Sequence, residues 1–331
     1  MDGMTRRGFI SRSSKGMLTV VGGAAVAALP GKARAVSAND RVVMAVIGVG
    51  GRGRDVSRQF VNSRGAVMAY VCDADEKRIG SYPDQLERLQ KRAPKAVQDM
   101  RRVFDDKEVD AVLVSTCDHW HGLATVWACQ AGKDVYVEKP PCHNLWEGQR
   151  MVEAARKYNR VVQCGLQNRS AAYALAAREY IQSGKLGDIP LVKVYNMKGG
   201  GPFTCPPDSP KPDGLDYDLY LGPAPSRPFN EGHCHGGWKM WWAYGGGDMG
   251  DDGIHQLDLA RFALGDPPPP KVVTASGGRL AFPDDREVPD TQTVTFEYER
   301  RIMTFELTEY SPYMIKAGDD VRNGDKYPFW P

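Results

Sequence analysis

From residue 41 onward, apolar residues fall into short unbroken runs separated by amphipathic stretches. The run 41–47 (Arg-Val-Val-Met-Ala-Val-Ile) ends in glycines and reads as a buried parallel strand. Runs at 66–72, 109–115, 134–138 and 160–164 have the same character. Between them, helical spacing or helix signals appear at 55–62, 81–98, 122–131 and 145–158, with Gly132-Lys133 as a stop signal. Strands alternating with helices predict right-handed βαβ units and a doubly wound parallel sheet over residues 36–165. The pattern changes after Gly165. A helix at 171–183 and a strand at 189–195 precede a Gly- and Pro-rich stretch, 199–228, of the kind that serves as a functional loop or arm. A helix at 254–264 follows, and then Pro267 to Pro270 as a stiff connector. Strands at 271–276, 291–298 and 302–309 alternate apolar and polar positions. Residues 166–331 are therefore expected to form an α+β domain with an open, mainly antiparallel, half-exposed sheet.

Composition narrows the class. Lys+Arg 43 against Asp+Glu 41 leaves a net charge of +2, without the basic excess of a nucleic-acid binder. Hydrophobic content of 42% and charged content of 25% suit a folded globular chain. Beyond residue 35 no apolar run approaches the roughly 18 residues of a membrane span. The first 35 residues differ: Thr5-Arg6-Arg7-Gly8-Phe9-Ile10 precedes a weakly apolar stretch, 17–29, and Ala33-Arg34-Ala35 offers a cleavage site. This is the layout of a twin-arginine signal peptide, with the export machinery as partner and the periplasm as destination. That route carries folded proteins, and it implies a nucleotide held tightly enough to travel with the chain. The seven cysteines are odd in number and include no C-x-x-C pair, so they read as mostly buried thiols rather than a disulfide framework.

The candidate chemistry begins at Gly48-Val49-Gly50-Gly51-Arg52-Gly53, which follows the first strand and opens a helix. In that context the glycines permit a tight turn, close approach of a pyrophosphate and close helix–strand packing, the fingerprint of a Rossmann dinucleotide site. Asp73 ends the second strand, where a carboxylate accepts from the adenosine ribose hydroxyls, which favours NAD; Lys77 and Arg78 keep NADP compatible. Glu138-Lys139-Pro140-Pro141 ends a parallel strand, at the edge where such sheets bind ligands. Asp251 and His255 are four apart, so on a helical turn they share a face, as a carboxylate orienting a catalytic ring or as an N-cap and a core histidine. Trp120, Trp238, Trp241 and Trp242 are candidates to stack on a sugar face or to fill the core. His233, Cys234 and His235 with Cys205 match no standard zinc spacing, so no metal is assigned.

Taken in order, these motifs resemble the Gfo/Idh/MocA family of sugar and polyol oxidoreductases. The resemblance runs through Gly48–Gly53, Ser115-Thr-Cys-Asp-His-Trp-His121, Glu138-Lys-Pro140, Gly165-Leu-Gln-Asn-Arg169 and Asp251-x-x-x-His255. It implies catalytic roles for Lys139, Asp251 and His255. It also implies cofactor contacts from Ser115, Thr116, His121, Glu138 and Lys139 beside the glycine turn and Asp73. Substrate contacts are expected from Lys139, Arg169, Trp242, Asp251 and His255. The implied reaction is hydride transfer at a carbinol: His255 takes the hydroxyl proton, Asp251 orients His255, and Lys139 steadies the reacting oxygen. A redox-neutral glycosidase or lyase on the same site, and a nucleotide-binding protein without turnover, are the alternatives. Residues 215–225 resemble the exported bacterial branch of the family, in which Cys117 replaces a usual proline. Residues 326–331 are unlike a finished terminus, so the second sheet is expected to continue. Its uncovered face is expected to make a homo-oligomer, a dimer or tetramer.

Overall fold

The computed structural model describes residues 41–63 and 65–310. Residues 1–35, read above as a signal, and the ending at 326–331 lie outside the described residues.

The first sheet is parallel throughout, with strand order β3-β2-β1-β4-β5-β6. Its strands are β1 (Val42–Ile47), β2 (Ala66–Cys72), β3 (Lys95–Val97), β4 (Ala111–Val114), β5 (Asp134–Val137) and β6 (Val162–Cys164). The order reverses between β1 and β4, which opens a crevice at the carboxyl ends of those strands. Helices α1 (Gly51–Asn62), α2 (Tyr82–Gln90), α3 (Asp118–Gln130) and α4 (Leu145–Lys157) are the longer connections. Both faces are covered, so β1 and β4 are apolar on both sides. Val46 and Leu113 pack into one core with Leu86 and Tyr82, while Ala45 and Val112 pack into the other with Ala124 and Cys129.

The sequence pattern runs one helix across 81–98, but the chain breaks there. Lys91 adopts a left-handed conformation (φ 61°) and closes α2, its N–H donating to the Glu87 carbonyl. Pro94 then disfavours helix in the residue before it, and Lys95–Val97 adds to the sheet edge beside β2. Helices α1 and α3 also start several residues earlier than the apolar spacing indicates, because both open directly from strand-end turns.

The second sheet has the order β7-β10-β9-β8, from β7 (Leu191–Met197), β8 (Val272–Gly278), β9 (Thr291–Glu297) and β10 (Ile302–Thr308). β10 and β8 pair antiparallel to β9, whereas β7 pairs parallel to β10, so the sheet is mixed. One face buries Val194, Val294, Met303, Phe305 and Leu307 against Leu257 and Ala260 of α6 (Ile254–Ala263). Helix α5 (Ala172–Gln182) packs beside α6. Strand β8 is exposed along most of its length.

The Gly- and Pro-rich stretch is a packed arm. The Asp216 N–H donates to Ala74 O (2.9 Å), and the Glu76 N–H donates to Gly214 O (3.0 Å). Trp120 Nε1 donates to the carbonyls of Leu219 and Tyr220 (3.1 Å each). Leu215, Tyr217, Tyr220, Cys234 and Tyr244 form the arm's own buried cluster. The arm thus walls the open end of the first sheet. All seven cysteines are free; Cys72, Cys129 and Cys234 are buried and the other four are partly buried. No helix among the described residues is long and apolar enough to cross a membrane.

Phe305 is fully buried beneath the turn that carries Asp251; a Cβ placed on Gly253 would stand 2.6 Å from its ring. Phe305→Ala should cost about 3–5 kcal/mol, the range for deleting a buried aromatic side chain. Chemical denaturation checks this, with Phe305→Leu expected to cost clearly less.

Candidate active site

A cavity of about 590 Å³ lies along the carboxyl ends of β1, β2, β4 and β5, within the range of small-molecule sites. Its floor is the turn from Gly48 into α1. Gly48 sits at φ +86°, and a Cβ there would stand 2.4 Å from Ser115 O, so only glycine fits. Gly50 caps α1 without a side-chain bond, and the first turn carries no acidic residue. The helix therefore presents open N–H groups where a pyrophosphate binds.

Asp73 lies at the ribose end. Its Oδ2 accepts the Val49 N–H (2.8 Å) and its Oδ1 accepts the Asp75 N–H (3.0 Å). Burial raises its pKa, and these two N–H groups oppose the rise. The carboxyl is thereby fixed with lone pairs left for ribose hydroxyls. The glycine turn, the uncapped helix and this tethered acceptor fit a dinucleotide.

Ser115, Thr116, His121, Glu138 and Arg52 also line the cavity. Arg52 Nε donates to Glu138 Oε1 at 2.9 Å, tying α1 to the end of β5. His121 is a brace: its ring nitrogens lie 2.6 Å from Pro140 O and 3.1 Å from Thr116 O, and burial lowers its pKa to about 4.

At the far end, Lys139, Asp251 and His255 come together on the cavity wall. Asp251 lies in a π-helical turn, Met249–Gly253, that runs straight into α6. Lys139 Nζ donates to Asp251 Oδ1 at 2.7 Å and also to the Asp251 carbonyl. Lys239 Nζ, which the sequence did not single out, donates to Oδ2. Burial works against the Asp251 carboxylate, but the two ammonium groups hold its pKa down to about 2. The expectation that Asp251 orients His255 is not met by a hydrogen bond: the carboxylate oxygens accept from the two lysines, and no hydrogen bond joins them to the ring among the described residues. The His255 Nδ1 is buried without a hydrogen-bond partner. Burial and then the Lys139 charge lower the His255 pKa. The ring is neutral at pH 7 and able to accept a proton.

Asp118, at the start of α3, is a second residue the sequence did not single out, although it lies inside the quoted Ser115–His121 motif. It is buried and lines the same cavity. Burial, followed by the Asp251 charge, raises its pKa well above the usual range, against Lys139 and Lys239.

Two expected substrate contacts lie elsewhere. Arg169 is outside the cavity lining; its guanidinium is forked onto Asp258 (2.6 and 2.9 Å) and Asp266 (2.7 Å) and lies over the Phe262 ring. It braces the turn at Gln167–Ser170 against α6. Trp242 is 51% exposed and points away, held through its backbone N–H on Glu287. Trp120 and Trp238 line the cavity instead, whereas Trp241 Nε1 donates to Gly232 O. No group of three or more metal-ligating side chains is present among the described residues.

Comparison with known proteins agrees with this geometry. Residues 42–166 match the model of an oxidoreductase family with an NAD-binding Rossmann fold, and residues 201–299 match the C-terminal alpha/beta domain of the same family. Inositol 2-dehydrogenase 2 of Saccharopolyspora erythraea is 27% identical over 265 residues, 78% of this chain and 63% of that protein. The 1,5-anhydro-D-fructose reductase of Ensifer adhaerens is 30% identical over 175 residues, 53% of this chain and 43% of that protein. The chain thus spans less than two thirds of the length of these relatives. In fold it is similar to GenD2 from gentamicin A biosynthesis, solved in complex with NAD, with a TM-score of 0.64 at 21% identity over 86% of this chain and 70% of that one. With the glycine turn, Asp73 and the Lys139 strand end in their places, the chain belongs to the Gfo/Idh/MocA family of NAD-binding oxidoreductases.

Proposed function

We propose that the protein is an NAD-dependent dehydrogenase of a sugar or polyol that holds its nucleotide tightly. The observation that carries this reading is the meeting of Lys139, from the first sheet, with Asp251 and His255, from the second domain, in the cavity that begins at the glycine turn. Related chains named for inositol and anhydrofructose chemistry support a polyhydroxylated substrate.

NAD, when bound, supplies the hydride acceptor. The substrate carbinol would lie between His255 and Lys139. The neutral His255 ring would accept the hydroxyl proton as the hydride leaves. The Lys139 ammonium, aimed by Asp251, would hydrogen-bond the same oxygen and stabilise its developing negative charge. Trp238 and Trp120 would offer apolar faces to the sugar.

One observation favours a second, redox-neutral reading. Asp118 lines the same cavity, and burial together with the Asp251 charge raises its pKa well above the usual carboxylate range, which favours its protonated form. A carboxylic acid so placed could protonate a leaving oxygen during elimination from a transiently oxidised sugar. Net NADH accumulation on a sugar panel supports the dehydrogenase, and aglycone release without it supports the lyase.

The twin-arginine layout of the first 35 residues supports export to the periplasm. The exposed β8 edge region, with Val272 and Val273 at the surface, supports pairing with a second copy. Light scattering at micromolar concentration tests that assembly.

Lys139→Ala and His255→Ala should each keep NAD and lose turnover by roughly 10²–10⁴-fold. Nucleotide content and single-turnover hydride transfer, measured on the same samples, check this. Because the His255 pKa is lowered, its deprotonated form persists below the ordinary histidine range. The acid limb of the rate of carbinol oxidation should therefore lie at lower pH than an ordinary histidine would give.

Asp251 gives a stability signature independent of substrate. Its folded pKa, about 2, lies below the unfolded value of about 3.9. Its contribution is complete above the unfolded value and is lost as pH falls through the folded one. The stability difference between the natural chain and Asp251→Asn should therefore be constant at pH 5–7 and shrink between about pH 4 and pH 2. Denaturation at several pH values tests this; a difference that does not move across that window excludes a carboxylate clasped by two lysines.

A further inference from the structure

The adenosine end of the cavity receives a side chain from the second domain that the family motifs do not mark. His235 lies on the arm between buried Cys234 and two glycines. Its backbone adopts φ +51°, a left-handed conformation uncommon for a residue with a side chain. Such conformations persist where the surroundings hold them, and they cluster at functional sites. Here the result is specific. The ring reaches the first domain, and Nε2 lies 2.8 Å from Asp75 Oδ2. Asp75 is itself buried, and its other oxygen accepts the Lys77 N–H at 2.8 Å. The Asp75 carboxylate thus fixes the His235 ring by one nitrogen, at a point two residues beyond the ribose acceptor Asp73.

The same corner contains Arg78, whose guanidinium lies against Gly50: a Cβ on that glycine would stand 2.8 Å from Nη1. His235, Arg78 and Asp73 all line the cavity. The His235 side chain is 34% exposed, and the residue is part of the cavity lining. Burial and the Arg78 charge favour its neutral form, with Asp75 and Asp73 opposing. A neutral ring that donates Nε2–H to a carboxylate has a bare lone pair on Nδ1, an acceptor only. No hydrogen bond to that nitrogen occurs among the described residues.

We propose that His235 is a cofactor-binding and cofactor-selecting residue contributed by the second domain, its Nδ1 accepting a hydroxyl of the adenosine ribose beside Asp73. Both groups are then acceptors. They match a ribose that carries hydroxyl donors and mismatch a 2′-phosphate, which has no proton to give at neutral pH. The arm thus does more than wall the cavity: it reinforces the preference for NAD over NADP. The inference rests on the reading of an NAD-holding dehydrogenase but concerns nucleotide alone, so it can be tested without knowing the substrate.

The experiment is a fluorescence titration of NADH and NADPH on the full chain stripped of nucleotide, comparing the natural protein with His235→Ala and His235→Gln. Melting temperature is recorded on the same samples. His235→Ala should weaken NADH about tenfold and leave NADPH within about twofold, so that the preference narrows by roughly one order of magnitude. His235→Gln retains an acceptor oxygen and should recover part of the NADH affinity. Unchanged NADH affinity in His235→Ala overturns the proposal. So does an equal loss for both nucleotides, which would make the residue a support for the arm. If the natural protein binds neither nucleotide, the dehydrogenase reading falls with it; if it binds NADH and only the variants fail to respond, His235 alone is reassigned.

Discussion

Asp251 holds the active cavity together because one carboxylate satisfies two ammonium groups from distant parts of the chain. Lys139 arrives from the end of β5 and Lys239 from the short 3₁₀ turn at Gly237–Met240. Asp251 itself sits on the turn that leads into α6. Removing the Asp251 carboxylate would leave the Lys139 ammonium, largely out of water, beside a second ammonium and without its counter-charge. The first sheet, the arm and the second domain are therefore tied at the point where chemistry is proposed. The neighbouring acids follow the same logic. Lys198 neutralises Asp248 and Asp252, and Asp118, which has no hydrogen bond from a lysine, is driven toward its protonated form. Clustered carboxylates disfavour one another's charge; lysines offset this at Asp248, Asp251 and Asp252, and Asp118 is the one whose charged form is most disfavoured.

The same field explains the state of His255. A histidine beside a carboxylate is ordinarily made more basic, and the i, i+4 spacing of Asp251 and His255 invites that reading. Here the carboxylate pairs with the two lysines and makes no hydrogen bond to the ring, and the Lys139 charge disfavours an imidazolium. In the proposed reaction, the cation that would stabilise a developing alkoxide also disfavours charge on the neighbouring ring and so leaves it able to take a proton. The two roles are compatible only because Asp251 aims Lys139 without also pairing with the ring.

Much of this architecture was legible in the sequence. Parallel strands buried on both faces appear as continuous apolar runs, and the glycine spacing fixed the turn that opens α1. The Lys139 strand end and the Asp251–His255 turn were legible for the same reason: each depends on local backbone context. The misreadings have a different origin. β3 is a three-residue edge strand, too short to have a period, and its pairing depends on Pro94 and on the open edge of β2. Arg169 and Trp242 carry side chains suited to a sugar, but composition does not show direction. Arg169 turns to Asp258 and Asp266, and Trp242 turns to solvent. Lys239 was not singled out, and His235 was weighed only as a metal ligand, because their partners lie elsewhere in the chain: Asp251 is 12 residues from Lys239, and Asp75 is 160 residues from His235.

The arm between the two sheets joins these observations. Read as sequence, its glycines and prolines say only that the chain leaves regular structure. In the fold, they let it follow the rim of the first sheet closely enough for backbone groups to pair with Ala74 and Glu76. Such pairing depends on the path of the main chain and leaves little trace in side-chain type. Once the path is fixed, residues along it and just beyond it line the cavity, among them Tyr220, then His235 beside Asp75, then Trp238 and Lys239 toward Asp251. A few residues of one loop thus reach both the nucleotide corner and the catalytic corner. Displacing the arm at either corner would disturb the other, because the segment joining them is short and is pinned at both ends, by Asp75 and by Asp251.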